Sequence, residues 1–478
     1  MAPILPPGGR PSPGDGADSS PVFLSGSLFR HVAVMSLTSS VGLMAVFLVD
    51  LADMVFIAML GQAELAAAIG YGAAILFFTT SFGIGMAIAA GALVARAVGS
   101  GQRELARQRA THALIHGVGF GAVFAAVVWM LLPEIVALLG ATGRTADLTI
   151  LYLAIIIPSL PLLIVGMIGG AILRAHGDAR RAMIATLLGA AVNAVLDPIL
   201  IFGFGLELVG AAMASVAARA TIAAVALLPI LRHHGGFCRP TAGGLVGDLR
   251  TVAAIALPAI LTQLATPVGQ AYVTRAMSEH GEAAVAGLAV ISRLIPVAFG
   301  VLFALSGAVG PIIGQNAGAG RDDRVRGALS AAIWFTALVT AGMAAVLFLF
   351  RGPLADLFQA DGRMRDLIFL FCGPLALLWF FNGVIFVANA AFNNLGRPFL
   401  STWVNWGRHT LGTVPFVMFG AWLAGAEGVL IGQAVGGVLF AGIAWFLAVR
   451  LTRDPSGGAG LSGGGPLPEP VSRMFRHR

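Results

Sequence analysis

The sequence contains no lysine: every one of its 29 basic residues is arginine. It is also short of acids (22) and of charge altogether, which makes up 11% of the 478 residues. Soluble domains carry roughly 25% charged residues, so this chain lacks the means to cover a core in water. A soluble multidomain enzyme, a disordered chain and a nucleic-acid binder are thereby excluded. Two cysteines, Cys238 and Cys372, are too few for a disulfide framework or a multi-cysteine metal site. What the chain has instead is apolar length. The hydrophobic share is 58% and the mean hydropathy +0.90, which points to a bilayer as solvent.

A bilayer core of about 30 Å takes roughly 20 helical residues to cross. Twelve runs are long enough, near 32–59, 66–95, 110–132, 148–173, 182–204, 209–231, 251–276, 284–313, 328–350, 367–392, 399–422 and 427–449. Pro158, Pro161, Pro258, Pro267, Pro296 and Pro374 fall inside them, where membrane helices tolerate proline if neighbours satisfy the freed backbone groups. Residues 1–30 and 451–478 read as flexible Pro-, Gly- and Ser-rich tails, and 1–30 lacks the pattern of a cleaved signal. The arginines sit in alternate loops, 21 on one side against 5 on the other, with Arg219, Arg293 and Arg408 inside spans. The excess marks the cytoplasmic side, which also receives both termini. The basic charge therefore sets topology and predicts no nucleic-acid partner.

The chain repeats itself. Gly91, Gly99, Gly101, Arg107 and Ala113 recur as Gly310, Gly318, Gly320, Arg326 and Ala332, and Ala171 and Gly177 recur as Ala390 and Gly396, each 219 residues later. Six spans per copy give both copies one orientation, a parallel repeat. The expected fold is therefore all-α and polytopic, with twelve transmembrane helices in two six-helix bundles. The N-lobe covers 31–231, the C-lobe 251–450, and 232–250 joins them. A cleft between such bundles is the architecture of an alternating-access transporter.

Ionisable groups within spans cost roughly 2.5–3.5 kcal/mol each at the helix centre, so each needs a reason. Asp50 and Asp53 share a face of span 1, and Asn193 and Asp197 share a face of span 5 just before Pro198. One reading pairs these acids with Arg219, Arg293 or Arg408 as packing devices. The other makes Asp53 and Asp197 a proton-holding pair. It is supported by the break in the repeat, which places Tyr272, Gly412 and Phe416 where Asp53, Asn193 and Asp197 stand. Packing devices tend to appear in both copies; an ion site need appear once. Two carboxylates held close repel each other and can share one proton.

The stretch Leu51-Ala-Asp-Met-Val-Phe-Ile-Ala-Met-Leu-Gly61 with Leu65-Ala-Ala-Ala-Ile-Gly70 resembles the first-span signature of the MATE (multidrug and toxic compound extrusion) family. Gly91 through Gly101, Leu173-Arg-Ala-His-Gly-Asp178, Asn193-Ala-Val-Leu-Asp-Pro198, Gly210-Ala-Ala-Met-Ala-Ser215, Arg293, and Arg408 with Pro415 are similar to later family patterns. The likeness covers about 32–450 and is greatest for the prokaryotic DinF-like branch. It implies an N-lobe proton site at Asp53, Asn193 and Asp197, with Tyr152 and Ser215 as hydrogen-bonding neighbours and Asp50 as an addition. Span 7, Pro258-Ala-Ile-Leu-Thr-Gln-Leu-Ala-Thr266, lacks the acid that a C-lobe sodium site needs; sodium at the N-lobe site stays open.

The implied function is secondary antiport in a bacterial inner membrane: export of amphipathic, cationic drugs in exchange for protons, by a monomer, with no enzyme activity and no cofactor. Phe77, Phe78, Trp379, Phe381 and Arg293 are candidates for the substrate cavity. Sodium coupling, flipping of a lipid-linked precursor, carriage of an anionic metabolite and a prenyltransferase at Asp50-x-x-Asp53 are the alternatives. His112 and His116 share a face of span 3 but lack a third ligand, so no metal site is expected there.

Overall fold

The computed structural model describes residues 21–453. Most of both predicted tails lies outside them. The described residues are helical with no strand, and eleven helices among them are long and apolar enough to cross a membrane. Ten are single spans: α1 (Leu28–Met59), α2 (Ala63–Gly99), α3 (Arg103–Met130), α4 (Gly143–Ala175), α5 (Ala179–Gly203), α6 (Glu207–His233), α7 (Ala242–Ser278), α8 (Glu282–Gly318), α9 (Asp322–Leu357) and α10 (Gly362–Asn394). The eleventh apolar stretch, Phe399–Arg453, is two spans. Its helix breaks at Ala424 and Gly425, where Gly425 has φ +60°. This separates α11 (399–423) from α12 (426–453) and makes twelve.

Glycine permits that hairpin. A Cβ on Gly436 would lie 1.4 Å from the Gly412 carbonyl oxygen, one on Gly432 2.2 Å from that of Phe416, and one on Gly428 1.8 Å from that of Gly420. The three contacts step up the antiparallel pair one turn at a time. Close approach of small residues is how membrane helices gain packing where lipid supplies no hydrophobic drive.

Proline shapes the other spans as the sequence leads one to expect. Pro158 opens a 3-10 turn in α4, Ile157–Ser159. Pro198 precedes a wide turn, Ile199–Gly203, in α5. Pro374 lies in another wide turn, Phe371–Leu375, in α10, and α8 bends at Phe299, three residues after Pro296.

The two bundles close against each other at the end that carries the arginine-rich loops, here called the basic end. A Cβ on Gly99 would meet the Gln315 carbonyl oxygen at 2.0 Å, and one on Gly318 that of Arg96 at 2.1 Å. Gly99 and Gly318 are repeat mates, and so are Arg96 and Gln315: the same contact is made twice across the pseudo-two-fold axis. The side chains repeat the exchange. Arg96 Nε donates to the Asn394 carbonyl at 2.6 Å, and Gln315 Nε2 to that of Ala175 at 2.8 Å. Positions 175 and 394 again differ by 219.

Residues 21–30 are not the tail that composition suggests. Phe23 is buried, its N–H donates to Gln315 Oε1 (3.0 Å), and its carbonyl accepts from Asn316 Nδ2 and Arg324. Val22 meanwhile packs near Gly177 of the N-lobe. Short apolar residues seated between donors are enough to fix a segment that lacks an apolar run.

The linker between lobes is shorter than predicted, because α7 is already helical from Ala242. The first turns of α7 are clamped to α3. Asp248 accepts from His112 Nδ1 at 2.6 Å and also from Arg109, while His116 Nε2 bonds the Leu245 carbonyl at 3.1 Å. The two histidines thus hold the start of α7.

Asp178 ties α4, α5 and α6 together at the basic end. It caps α5, accepting Arg181 N–H at 3.2 Å and Arg181 Nη1 at 2.6 Å, and it takes His234 Nε2 at 3.2 Å. Burial pushes its carboxyl up, but the His234 and Arg181 hydrogen bonds outweigh this and hold it at about 2, below the usual 3.8. Its folded value is below its unfolded one, so the stabilisation is present above about pH 4 and disappears as pH falls through about 2.

Two outcomes are expected from thermal unfolding in detergent. Gly436→Val should lower the midpoint strongly, by the ~1–3 kcal/mol typical of overpacking or more, whereas Gly342→Ala, which faces open space, should change little. Asp178→Asn should cost about 2 kcal/mol at pH 7 and progressively less towards pH 2.

Candidate functional site

Three side chains meet inside the N-lobe. Asp53 comes from α1; Asn193 and Asp197, one turn apart, come from α5. Asn193 Nδ2 donates to Asp53 Oδ1 at 3.3 Å and to Asp197 Oδ2, so a single amide bridges both acids. Asp197 is fully buried and Asn193 nearly so, while Asp53 is half-buried. The Oδ1 of Asp197 is buried and without a hydrogen-bond partner, an expensive condition for a carboxylate oxygen in low dielectric.

No cation offsets these acids. Among the described residues, no arginine or histidine forms an ion pair with Asp50, Asp53 or Asp197. That removes the pairing alternative read from the sequence. Arg219 instead donates to the Ile156 carbonyl (3.2 Å) and Ser159 Oγ (2.9 Å). Pro158 explains the choice: at the turn it opens, the Leu160 N–H bonds Ile157, and the Ile156 carbonyl takes the Ser159 hydroxyl (2.7 Å) and the guanidinium instead. Arg408 donates to Asn382 in the C-lobe. Arg293 is exposed.

The remaining candidates disperse. Asp50 is exposed, one turn from Asp53. Tyr152 is buried against Gly72, and Ser215 is half-buried. Among the described residues neither hydroxyl hydrogen-bonds the acids, so the part assigned to them by resemblance is not seen in this geometry. Trp379 stacks on Phe299 with centroids 4.9 Å apart, and Phe381 lies edge-on to Phe380 at 5.2 Å. Both pack against the C-lobe core. Phe77 and Phe78 are exposed on α2. These side chains do not converge on the acids.

Sequence reasoning missed a polar seam in the C-lobe. Asn405 Nδ2 donates to Asn389 Oδ1 at 3.2 Å, Ser401 Oγ to Asn393 Oδ1 at 3.4 Å, and Arg408 to Asn382 Oδ1. The signal was available: Asn382, Asn389 and Asn393 fall on one face of α10, and Ser401, Asn405 and Arg408 on one face of α11.

The MatE family model matches residues 39–199 and again 258–418. Both limits are displaced by 219, the shift of the internal repeat. A protein of Shewanella oneidensis described as an FAD transporter is 29% identical over 437 residues, covering 90% of this chain and 96% of that one. The multidrug export protein MepA of Staphylococcus haemolyticus is 23% identical, again over 90% and 96% of the two chains. The crystal structure of a mutant of the Vibrio cholerae MATE transporter VcmN shares the fold with a TM-score of 0.85, at 24% identity over 89% of this chain and 97% of that one.

Proposed function

Because the chain belongs to the MatE family, we propose that it is a secondary antiporter that exports amphipathic organic compounds in exchange for protons. Family members are transporters, and this chain is a multi-pass membrane transporter, not an enzyme; the prenyltransferase alternative falls with that membership. The arginine asymmetry supports a bacterial inner-membrane setting with the basic end and both termini in the cytoplasm, and the protein acts as a monomer.

One observation carries proton coupling. The nitrogen of Asn193, not its oxygen, faces both acids. Sodium is a hard cation that wants oxygen ligands, and here the amide turns donors towards the place it would occupy. A proton suits the same geometry: on either acid it creates the donor that two facing carboxylates lack. The orphaned Asp197 Oδ1 gives it a place.

The cycle follows from the closed basic end. With the cytoplasmic latch shut, the cleft faces outward and a proton reaches Asp53 and Asp197 from outside. Its arrival removes a negative charge from the pair and weakens the hold on a cationic substrate. Pro198 and the wide turn beyond it leave α5 free to adjust. Opening of the Gly99–Gly318 crossing then exposes the site to the cytoplasm, where the proton leaves and substrate enters. One proton in for one monovalent cation out moves no net charge, so the pH gradient drives the exchange, at about 1.4 kcal/mol per pH unit.

The relatives bear two kinds of name, multidrug export protein and FAD transporter. A second reading, carriage of an anionic compound, is favoured by Arg408, a guanidinium within the spans with no carboxylate partner.

The test is efflux of a cationic fluorescent dye from proteoliposomes with the pH and sodium gradients varied independently. Efflux should follow the pH gradient alone, and Asp53→Asn and Asp197→Asn should each fall to the level of empty vesicles. Export driven by sodium, or pH-driven export retained by both variants, would overturn the proton assignment.

A further inference from the structure

The C-lobe has no acid in the interior of its spans, yet it holds Arg408. The residue lies nine positions into α11 from Phe399, about 14 Å along the helix and so near the middle of a hydrocarbon layer of about 30 Å. A charge at that depth is expensive unless it is paired or faces water.

It is not paired with an acid. Its one hydrogen bond runs from Nη2 to Asn382 Oδ1, a neutral acceptor, and no carboxylate among the described residues reaches it. A guanidinium has five N–H donors in a fixed fork. Nε and Nη1 make no bond, and neither is among the fully buried unsatisfied nitrogens, so both open onto accessible space.

That space is not lipid. On α11, Arg408 shares a stripe with Ser401, Val404 and Asn405, all buried, whereas Trp403, 73% exposed, marks the opposite, outward side. The guanidinium therefore points into the C-lobe interior. Asn382 fixes one edge of it, and the seam below, Asn389–Asn405 and Asn393–Ser401, binds α10 to α11. The side chain is held by one nitrogen and presents the rest of its fork.

We infer that Arg408, oriented by Asn382, is an anion-binding site that takes a phosphate or carboxylate group of the transported compound. A planar fork matches the oxygens of such a group, with two charge-assisted hydrogen bonds. The two lobes then differ in polarity as they differ in sequence: acids bridged by Asn193 in one, an unpaired guanidinium in the other. This rests on the reading that the protein carries an organic substrate. It narrows the class to compounds with an anionic group beside an apolar or aromatic body, cationic groups being served by the other lobe.

A matched pair of probes isolates the anion: riboflavin 5′-phosphate and riboflavin, which share the ring system and differ by the phosphate. Affinities of the purified full-length protein are read by quenching of flavin fluorescence. The phosphate form should bind the wild type about tenfold or more tightly than riboflavin. Arg408→Gln should abolish that preference while leaving riboflavin affinity unchanged, which also reports that the variant is folded. Arg408→Lys should keep part of the preference, since it retains charge without the fork, and Asn382→Ala should reduce it. Equal affinities in the wild type, binding of neither flavin, a preference that survives in Arg408→Gln, or equal loss of both flavins in Arg408→Gln and Arg408→Lys would each overturn the assignment. Asp53→Asn measured in parallel should keep the affinity ratio even where it abolishes pH-driven dye export, so failure of the coupling reading and failure of the anion site are separately visible.

Discussion

The crossing of α2 over α8 at Gly99 and Gly318 is the contact on which the arrangement of the two bundles depends. At both glycines a Cβ would stand within van der Waals distance of the opposing backbone, so no other residue lets the helices approach so far. Once they do, Arg96 and Gln315 reach carbonyls at the ends of α10 and α4. A charged and a neutral side chain perform the same task at equivalent positions. The closure is thus a property of the repeat's geometry rather than of one residue type. Phe23 and its neighbours lie across this junction, adding bonds to Gln315 and Asn316. At the crossing itself the contact is built from a few hydrogen bonds and a glycine approach, which a conformational cycle can break and remake.

Symmetry governs the scaffold and stops at the chemistry. The same six-helix unit is used twice, but the N-lobe carries two acids bridged by an amide and the C-lobe a polar seam ending in a guanidinium. In hydrocarbon each polar group must be bonded or functional. Most here are bonded: Arg219 by the carbonyl that Pro158 frees, His112 by Asp248, Asn405 by Asn389. Ser36 Oγ, Thr340 Oγ1, His409 Nδ1 and Asp197 Oδ1 are among the buried atoms left unbonded; Asp197 Oδ1 and the free nitrogens of Arg408 belong to ionisable groups of opposite sign, and they lie in different lobes.

Much of this was legible in the sequence. Span number followed from apolar length, and the repeat from glycines whose spacing never varies. The pairing of Asp53 with Asn193 and Asp197 was suggested by a helical period in α5 and by the absence of these residues from the second copy. What was not legible has physical reasons. Arg96 and Gln315 are equivalent in role but not in chemistry, so no search for identical residues finds them. Phe23 is fixed by donors that come from some three hundred residues away, which leaves no trace in local composition. The partners of Arg219 depend on a carbonyl freed by a proline on another helix. The polar seam could have been read from helical spacing, but asparagines in an apolar run draw less notice than charges.

The central claim is that Asp53 and Asp197 hold a proton that a cationic substrate displaces. The most direct measurement is proton release when a cationic dye is added to the purified protein in weakly buffered detergent solution containing a pH indicator. The account predicts release by the wild type that saturates with dye occupancy and is absent from Asp53→Asn and Asp197→Asn variants that still bind the dye. Dye binding without proton release by the wild type, or undiminished release by both variants, would contradict it.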